Sequence, residues 1–258
     1  MTRVATTSRT STGRRRTRVS ELWRQYVELR RRHPDLFANP PDSAVEILDE
    51  SGQVAAAERA RADVLRARGL PVEWSRAGVV FQDDYLTLIR DPVRFPGGVL
   101  GTYLRSLPSS GADGLVVLPV LDGGVVLVEH FRHTTRRWHL EAPRGFGEAG
   151  VPPEEQAARE LREEIGVAPA RLVDLGVLHP DTGIATSTVR LYLAEIAELG
   201  DTAAEEGIRA ARTYPAGRVG ELIRDGVVTD SFTIAAWTRA WLRGLLSGVP
   251  GPVTGTGR

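Results

Sequence analysis

The chain has no cysteine, so disulfides and thiolate metal sites are excluded and no redox compartment is marked. It has no lysine either. All 33 basic residues are arginine, a usage that fits a GC-rich genome rather than a function. Net charge is also missing: 33 acidic residues balance the arginines, so no global electrostatic argument points to nucleic acid or an anionic membrane. No apolar run approaches the roughly 20 residues of a membrane helix. The first 20 residues are rich in Arg, Thr and Ser and lack the apolar centre of a secretory signal. These absences leave a soluble, cytoplasmic protein as the expectation. The 258 residues, 41% of them hydrophobic, suit one large domain with an added segment.

Residues 1–19 hold six arginines and no acid, which predicts a disordered tail; a nucleic-acid arm is the sharper alternative. Residues 20–75 read as a helical N-terminal extension. Leu22, Trp23, Tyr26, Val27 and Leu29 recur at helical spacing behind Ser20, a suitable N-cap. Asn39-Pro40-Pro41 breaks the chain, Ala44–Leu48 reads as a short strand, and Ala55–Ala67 reads as a second helix closed by Gly69. From residue 76 to 247 short β-rich runs dominate, separated by turn signals such as Asp122-Gly123-Gly124. Helices are predicted at Glu154–Ile165 and Ser231–Leu246. Strands interleaved with few helices imply an α/β fold with a mixed sheet packed between helices. Residues 248–258, rich in Gly, Pro and Thr, are expected to be a second disordered tail.

The chemistry concentrates between Glu141 and Val167. Pro152 and Pro153 suit the first turn of a helix, Glu154 and Glu155 complement its dipole, and Gly166 suits its end. At about 100° per residue, Ala157, Ala158, Leu161 and Ile165 share one arc that faces a sheet. Glu160, Glu163 and Glu164 share the adjacent arc. Acids on a helix are ordinarily a solvated face. Here three lie within one turn and repel each other, and a hard divalent cation such as Mg²⁺ or Mn²⁺ relieves that repulsion with oxygen ligands. Gly145, Gly147 and Gly150 ahead of the helix allow tight turns and close approach. A carbonyl in Pro143-Arg144-Gly145 is a further candidate ligand, through Arg144.

The stretch from Gly145 to Val167 resembles the Nudix box: Gly, five residues, Glu, seven residues, then Arg-Glu-apolar-any-Glu-Glu-any-Gly-apolar. Gly145, Arg159, Glu160, Leu161, Glu163, Glu164, Gly166 and Val167 fit. The resemblance spans about Gly78 to Leu246, and Val128-Glu-His-Phe-Arg132 is most similar to the ADP-ribose pyrophosphatase branch. It implies a Nudix-type α/β/α sandwich and metal-dependent hydrolysis of a nucleoside diphosphate linked to another moiety, ADP-ribose or a nucleotide sugar, with release of a nucleoside monophosphate. One position departs: Val151 stands where the family has a Glu that pairs with the box arginine, here Arg159. Glu148, Glu154 or Glu155 are candidate substitutes. The departure keeps a second reading open, a degenerate module that binds a nucleotide sugar with little turnover.

The resemblance also implies site residues. Glu160 and Glu164 hold the cation, with Glu163 as third ligand or water partner. A general base is expected from the acidic loop, Glu206 first and Glu205 second, with Glu198 also in that loop. Arg132, Arg136 and Arg137 are candidates for phosphate or ribose contacts, since guanidinium forks match phosphate oxygens. Glu141 is a candidate for a ribose hydroxyl or the metal, and Trp138 either stacks on a base or joins the core. His130, His133, His139 and His179 lack zinc-ligand spacing and read as structural or solvent-facing. Thr182-Gly183 stands about where typical ADP-ribose enzymes carry a proline, so other nucleotide sugars stay open. A homodimer built through the strands from Val79 to Leu104 is a family expectation.

Overall fold

The structure is a computed structural model that describes residues 20–109 and 111–249. Segment 1–19 and all but the first two residues of segment 248–258 lie outside the described residues. Contacts divide the chain into two units. One comprises Met1–Val80 with Arg90–Tyr103, the other Phe81–Ile89 with Leu104–Arg258.

In the first unit, α1 (Glu21–Arg32) starts at Ser20, whose hydroxyl accepts from the Trp23 amide at 3.2 Å. Tyr26 is fully buried, stacks edge-on against Phe37 and donates its hydroxyl to Asp91 at 2.5 Å. Helix α2 (Ser51–Ala67) begins four residues earlier than its apolar pattern suggests, because Ser51 and Gly52 hid its first turn. A small sheet runs β1 (Glu46–Ile47), β3 (Leu86–Arg94), β2 (Gly78–Gln82), with β4 (Leu100–Pro108) also paired to β3. The expected Ala44–Leu48 strand is thus only two residues long.

The second unit is built on a seven-stranded sheet. Its order is β11 (Ile208–Pro215), β6 (Gly124–Arg132), β5 (Gly114–Leu121), β10 (Val189–Glu195), β9 (Arg171–Leu178). β7 (Arg137–Glu141) pairs with β6, and β8 (Arg144–Phe146) with β5. β10 runs parallel to β5 while the other pairings are antiparallel, so the sheet is mixed as expected. The hairpin between β5 and β6 turns at Asp122 (φ 50°) and Gly123 (φ 80°). Two successive left-handed residues are the turn that matches strand twist.

Both faces of this sheet are covered, which explains why β5 and β6 read as continuous apolar runs. On one face Leu115, Val117, Val126 and Val128 pack against Ala157, Leu161 and Ile165 of α3 (Pro153–Ile165). On the other, Val116, Leu118, Val125 and Leu127 pack with α4 (Ala216–Arg224) and α5 (Ser231–Leu242). The result is an α/β/α sandwich. α4 has no sequence-level forecast, since Gly217 and Gly220 interrupt its period. At Gly220 a Cβ would meet the Trp237 ring at 2.8 Å, so the glycine lets α4 and α5 close on each other. α5 stops at Leu242 rather than Leu246, although Leu246 still enters the core.

Candidate active site

The Gly loop reaches the helix through β8. Arg144 lies opposite Val116 in the ladder, with the Val117 amide donating to Pro143 (2.9 Å) and the Gly147 amide to the Asp113 carbonyl (3.0 Å). This register makes Arg144 a non-hydrogen-bonded position, so its N–H and C=O both point away from β5. The N–H meets Glu164 Oε1 at 3.3 Å. Gly145 follows, and a Cβ there would collide with the Glu160 carboxylate. Glycine is therefore what lets the first box acid lie flat against the loop.

Gln156 ties the loop to α3. Its side chain is buried and makes three hydrogen bonds: it accepts from the Glu148 amide at 2.6 Å and donates to the carbonyls of Glu148 (2.9 Å) and Val151 (2.7 Å). The arginine orphaned by Val151 also finds a partner, since Arg159 pairs with Glu148 at 3.0 Å. Of the three candidate substitutes, Glu148 takes the role. Glu154 is engaged elsewhere, accepting from the Tyr192 hydroxyl at 3.1 Å. The motive for reading the chain as degenerate is thereby removed.

A cleft of about 550 Å³ opens over these elements, within the second unit. Its lining includes Glu160, Glu164, Glu206, Arg132, Arg144 and His130. Glu160 and Glu164 are buried, although their arc was expected only to flank the buried face. Burial, then the Glu163 charge, raises the Glu160 pKa to about 7. Burial raises that of Glu164 to about 8, against the pull of the Arg144 amide. Glu206 lines the same cleft, and its charge adds to both shifts. Glu164 Oε2 is buried without a hydrogen-bond partner.

Arg132 and Arg144 flank the fully buried Glu141. Arg132 donates through Nε to Glu141 Oε1 at 2.7 Å, while Arg144 Nε lies 3.7 Å from the same oxygen. Desolvation raises the Glu141 pKa, with Arg132 opposing. His130, read as structural or solvent-facing, is buried and forms part of the cleft wall. Its Nδ1 lies 3.5 Å from Glu141 Oε1. Burial and the two arginines lower its pKa to about 4, so it is neutral at ordinary pH.

The structure does not bring every candidate here. Glu163 is half-exposed and 4.0 Å from Arg159, and Glu163, Glu205 and Arg137 are absent from the cleft lining. Trp138 is 43% exposed beneath the Arg209 guanidinium, 4.1 Å from its centroid, rather than in the core. Arg136 bonds His133 at 2.7 Å. The residues that sequence reasoning missed are Asp230, the N-cap of α5, and Phe232, both beside Arg144. Asp230 ahead of Ser231 was a legible cap signal; nothing in the sequence tied it to the loop.

Among the described residues no three His, Cys, Asp or Glu side chains stand preassembled for a metal. The donor set nonetheless fits a hard cation. Two buried carboxylates with raised pKa values demand a proton or a cation, one oxygen has no partner, and Gly145 clears the space beside Glu160. No helix of the described residues is long and apolar enough to cross a membrane.

A family model described as NUDIX domain matches residues 112–231. An ADP-ribose pyrophosphatase of Mycobacterium tuberculosis is 35% identical over 152 residues, 57% of this chain and 72% of that protein. A CMP-5'-(N-acetyl-N-hydroxy-3-aminopropyl)phosphonate hydrolase of Streptomyces rubellomurinus is 30% identical over 161 residues, 60% of this chain and 75% of that protein. A crystal structure of an ADP compounds hydrolase shares the fold, with a TM-score of 0.58 at 22% identity over 66% of this chain and 93% of the other. The chain belongs to the Nudix family and is a pyrophosphohydrolase. Within that family it is similar to the ADP-ribose pyrophosphatases.

Proposed function

We propose that the protein hydrolyses the diphosphate bond of ADP-ribose or a related nucleotide sugar, in a reaction that needs Mg²⁺ or Mn²⁺ and releases a nucleoside monophosphate. The observation that carries this reading is the cleft that sets Glu160, Glu164 and Glu206 against Arg132 and Arg144. Glu160, Glu164 and the Arg144 carbonyl would hold the cation, with the exposed Glu163 beside them as third ligand or water partner. A bound divalent ion would neutralise diphosphate charge and acidify water.

The rest is work for the chain's own residues. Water oxygen attacks one phosphorus, the bridging P–O bond breaks, and the proton passes to Glu206, chosen because it lines the cleft with the acid pair. Glu205 is the second candidate. His130 lines the cleft wall, and Glu141 holds Arg132 toward the cleft. Positioning and charge dominate phosphoryl transfer, so these contacts matter more than covalent chemistry. A homodimer is part of the proposal, supported by exposed Phe81, Val99 and Tyr103 in the segment from β2 to β4.

A panel of nucleoside diphosphate sugars tests the reading, with Mg²⁺ or Mn²⁺ and monophosphate release read by chromatography. ADP-ribose or a nucleotide sugar should yield its nucleoside monophosphate only with metal. No release from any member, or release with chelator present, would refute it. Light scattering of the purified protein should give twice the chain mass.

A further inference from the structure

The sequence directs attention to Arg132, Arg136 and Arg137 for phosphate contacts; the geometry points to the side chain of Arg144 instead. We propose that the Arg144 guanidinium is a phosphate-binding subsite, taking an oxyanion of the substrate beside the acid pair. This rests on reading the cleft as a diphosphate site.

Arg137 is exposed and absent from the cleft lining. Arg132 lines the cleft, yet its Nε is committed to Glu141 at 2.7 Å. Arg144 differs. Its Nε is 3.7 Å from Glu141 Oε1 and one terminal nitrogen is 3.7 Å from Asp230 Oδ1. Both distances exceed hydrogen-bond length, so the two acids orient the group by charge without using its donors. The Phe232 ring supports its face, 5.0 Å from the guanidinium carbon. Arg144 Nε is buried with no acceptor. The side chain as a whole is 27% exposed and lines the cleft, so a phosphate oxygen arriving there meets the guanidinium with a charge-assisted bond.

Position supplies the second half of the argument. The Arg144 amide already meets Glu164, so this residue spans the acid pair with its backbone and the cleft wall with its side chain. An anion bridging them meets negative carboxylates only through a cation and meets the guanidinium directly. Phe232 and Asp230, from the start of α5, are positioning residues for this arginine and not contacts to substrate.

The test is calorimetric titration of the full chain with inorganic phosphate at saturating Mg²⁺, for wild type, Arg144→Gln and Arg144→Lys. Mg²⁺ affinity and melting temperature are measured alongside. Loss of one charge-assisted bond predicts about 10- to 100-fold weaker phosphate binding in Arg144→Gln, with Mg²⁺ affinity unchanged. Arg144→Lys, which keeps the charge but not the planar guanidinium fork, should fall between. Should the Gln variant fail to fold, the Lys variant decides. Phosphate affinity within twofold of wild type in a folded variant overturns the subsite, as does a wild type that binds no phosphate. Failure of the hydrolase reading looks different: no nucleoside diphosphate is cleaved, while phosphate binding still depends on Arg144.

Discussion

Replacing Gln156 by alanine should loosen the loop that presents Gly145 and, with it, Glu160. The side chain is 3% exposed and makes three hydrogen bonds to loop backbone. At about 0.5–1.5 kcal/mol net for each bond, the sum is about 1.5–4.5 kcal/mol. Glu148 is exposed, so water can reach part of the vacated backbone, which favours the lower half, about 2 kcal/mol. For a domain of this size that lowers Tm by about 4–8 °C. Arg159–Glu148 cannot make up the loss, because a solvent-facing ion pair contributes about 0–1 kcal/mol.

Turnover should fall about tenfold with a raised Mg²⁺ requirement, since a misplacement of about 1 Å in a catalytic group can cost two orders of magnitude. Adding Val151→Glu to this variant returns the acid that the family places opposite Arg159. It should recover at most about 1 kcal/mol of the loss, and Val151→Glu alone changes little, because Arg159 is already paired. Differential scanning calorimetry and steady-state kinetics over a Mg²⁺ series read both effects. A Gln156→Ala protein that melts with wild type and turns over within twofold of it would refute the reasoning.

Other expectations follow from the same geometry. Glu164→Gln should abolish turnover with the fold intact; retained activity removes Glu164 from the metal site. Burial raises the Glu164 pKa to about 8 from an unfolded value near 4.5, so in between the unfolded chain binds fewer protons. Stability of the metal-free protein should therefore be greatest at or below pH 4.5 from this group and decline as pH rises toward 8. Melting scans in chelator should show that slope, a flatter one in Glu164→Gln, and its loss when Mg²⁺ is added. Gly145→Ala forces a methyl group into the Glu160 carboxylate and should weaken Mg²⁺ binding at least tenfold by calorimetry, and wild-type affinity contradicts the close approach. Glu206→Gln should lower kcat about 100-fold with Mg²⁺ affinity kept, and an unchanged kcat moves the base to another residue, Glu205 first.

The periodicity of α3, the Asp-Gly hairpin and the two-faced strands were legible because each is a local pattern that one burial direction dictates. α4 was not, since its glycines serve contact with Trp237, which only packing reveals. Within the site, the sequence by itself determined the metal-binding carboxylate candidates and the Gly loop, because box spacing fixes which residues share a helical arc. It also exposed Val151 as a departure. Only the tertiary structure decided what answers that departure: it chose Glu148 among three candidates and added Gln156, whose bonds between loop and helix no spacing rule anticipates. It likewise decided which residues face the cleft. Arg144 enters it because a β-bridge to β5 and the start of α5 converge there, while Glu163 and Arg137, as good on chemistry alone, do not line it. Residue type sets what a side chain can do; which groups share a cleft depends on strands and helices far apart in the chain.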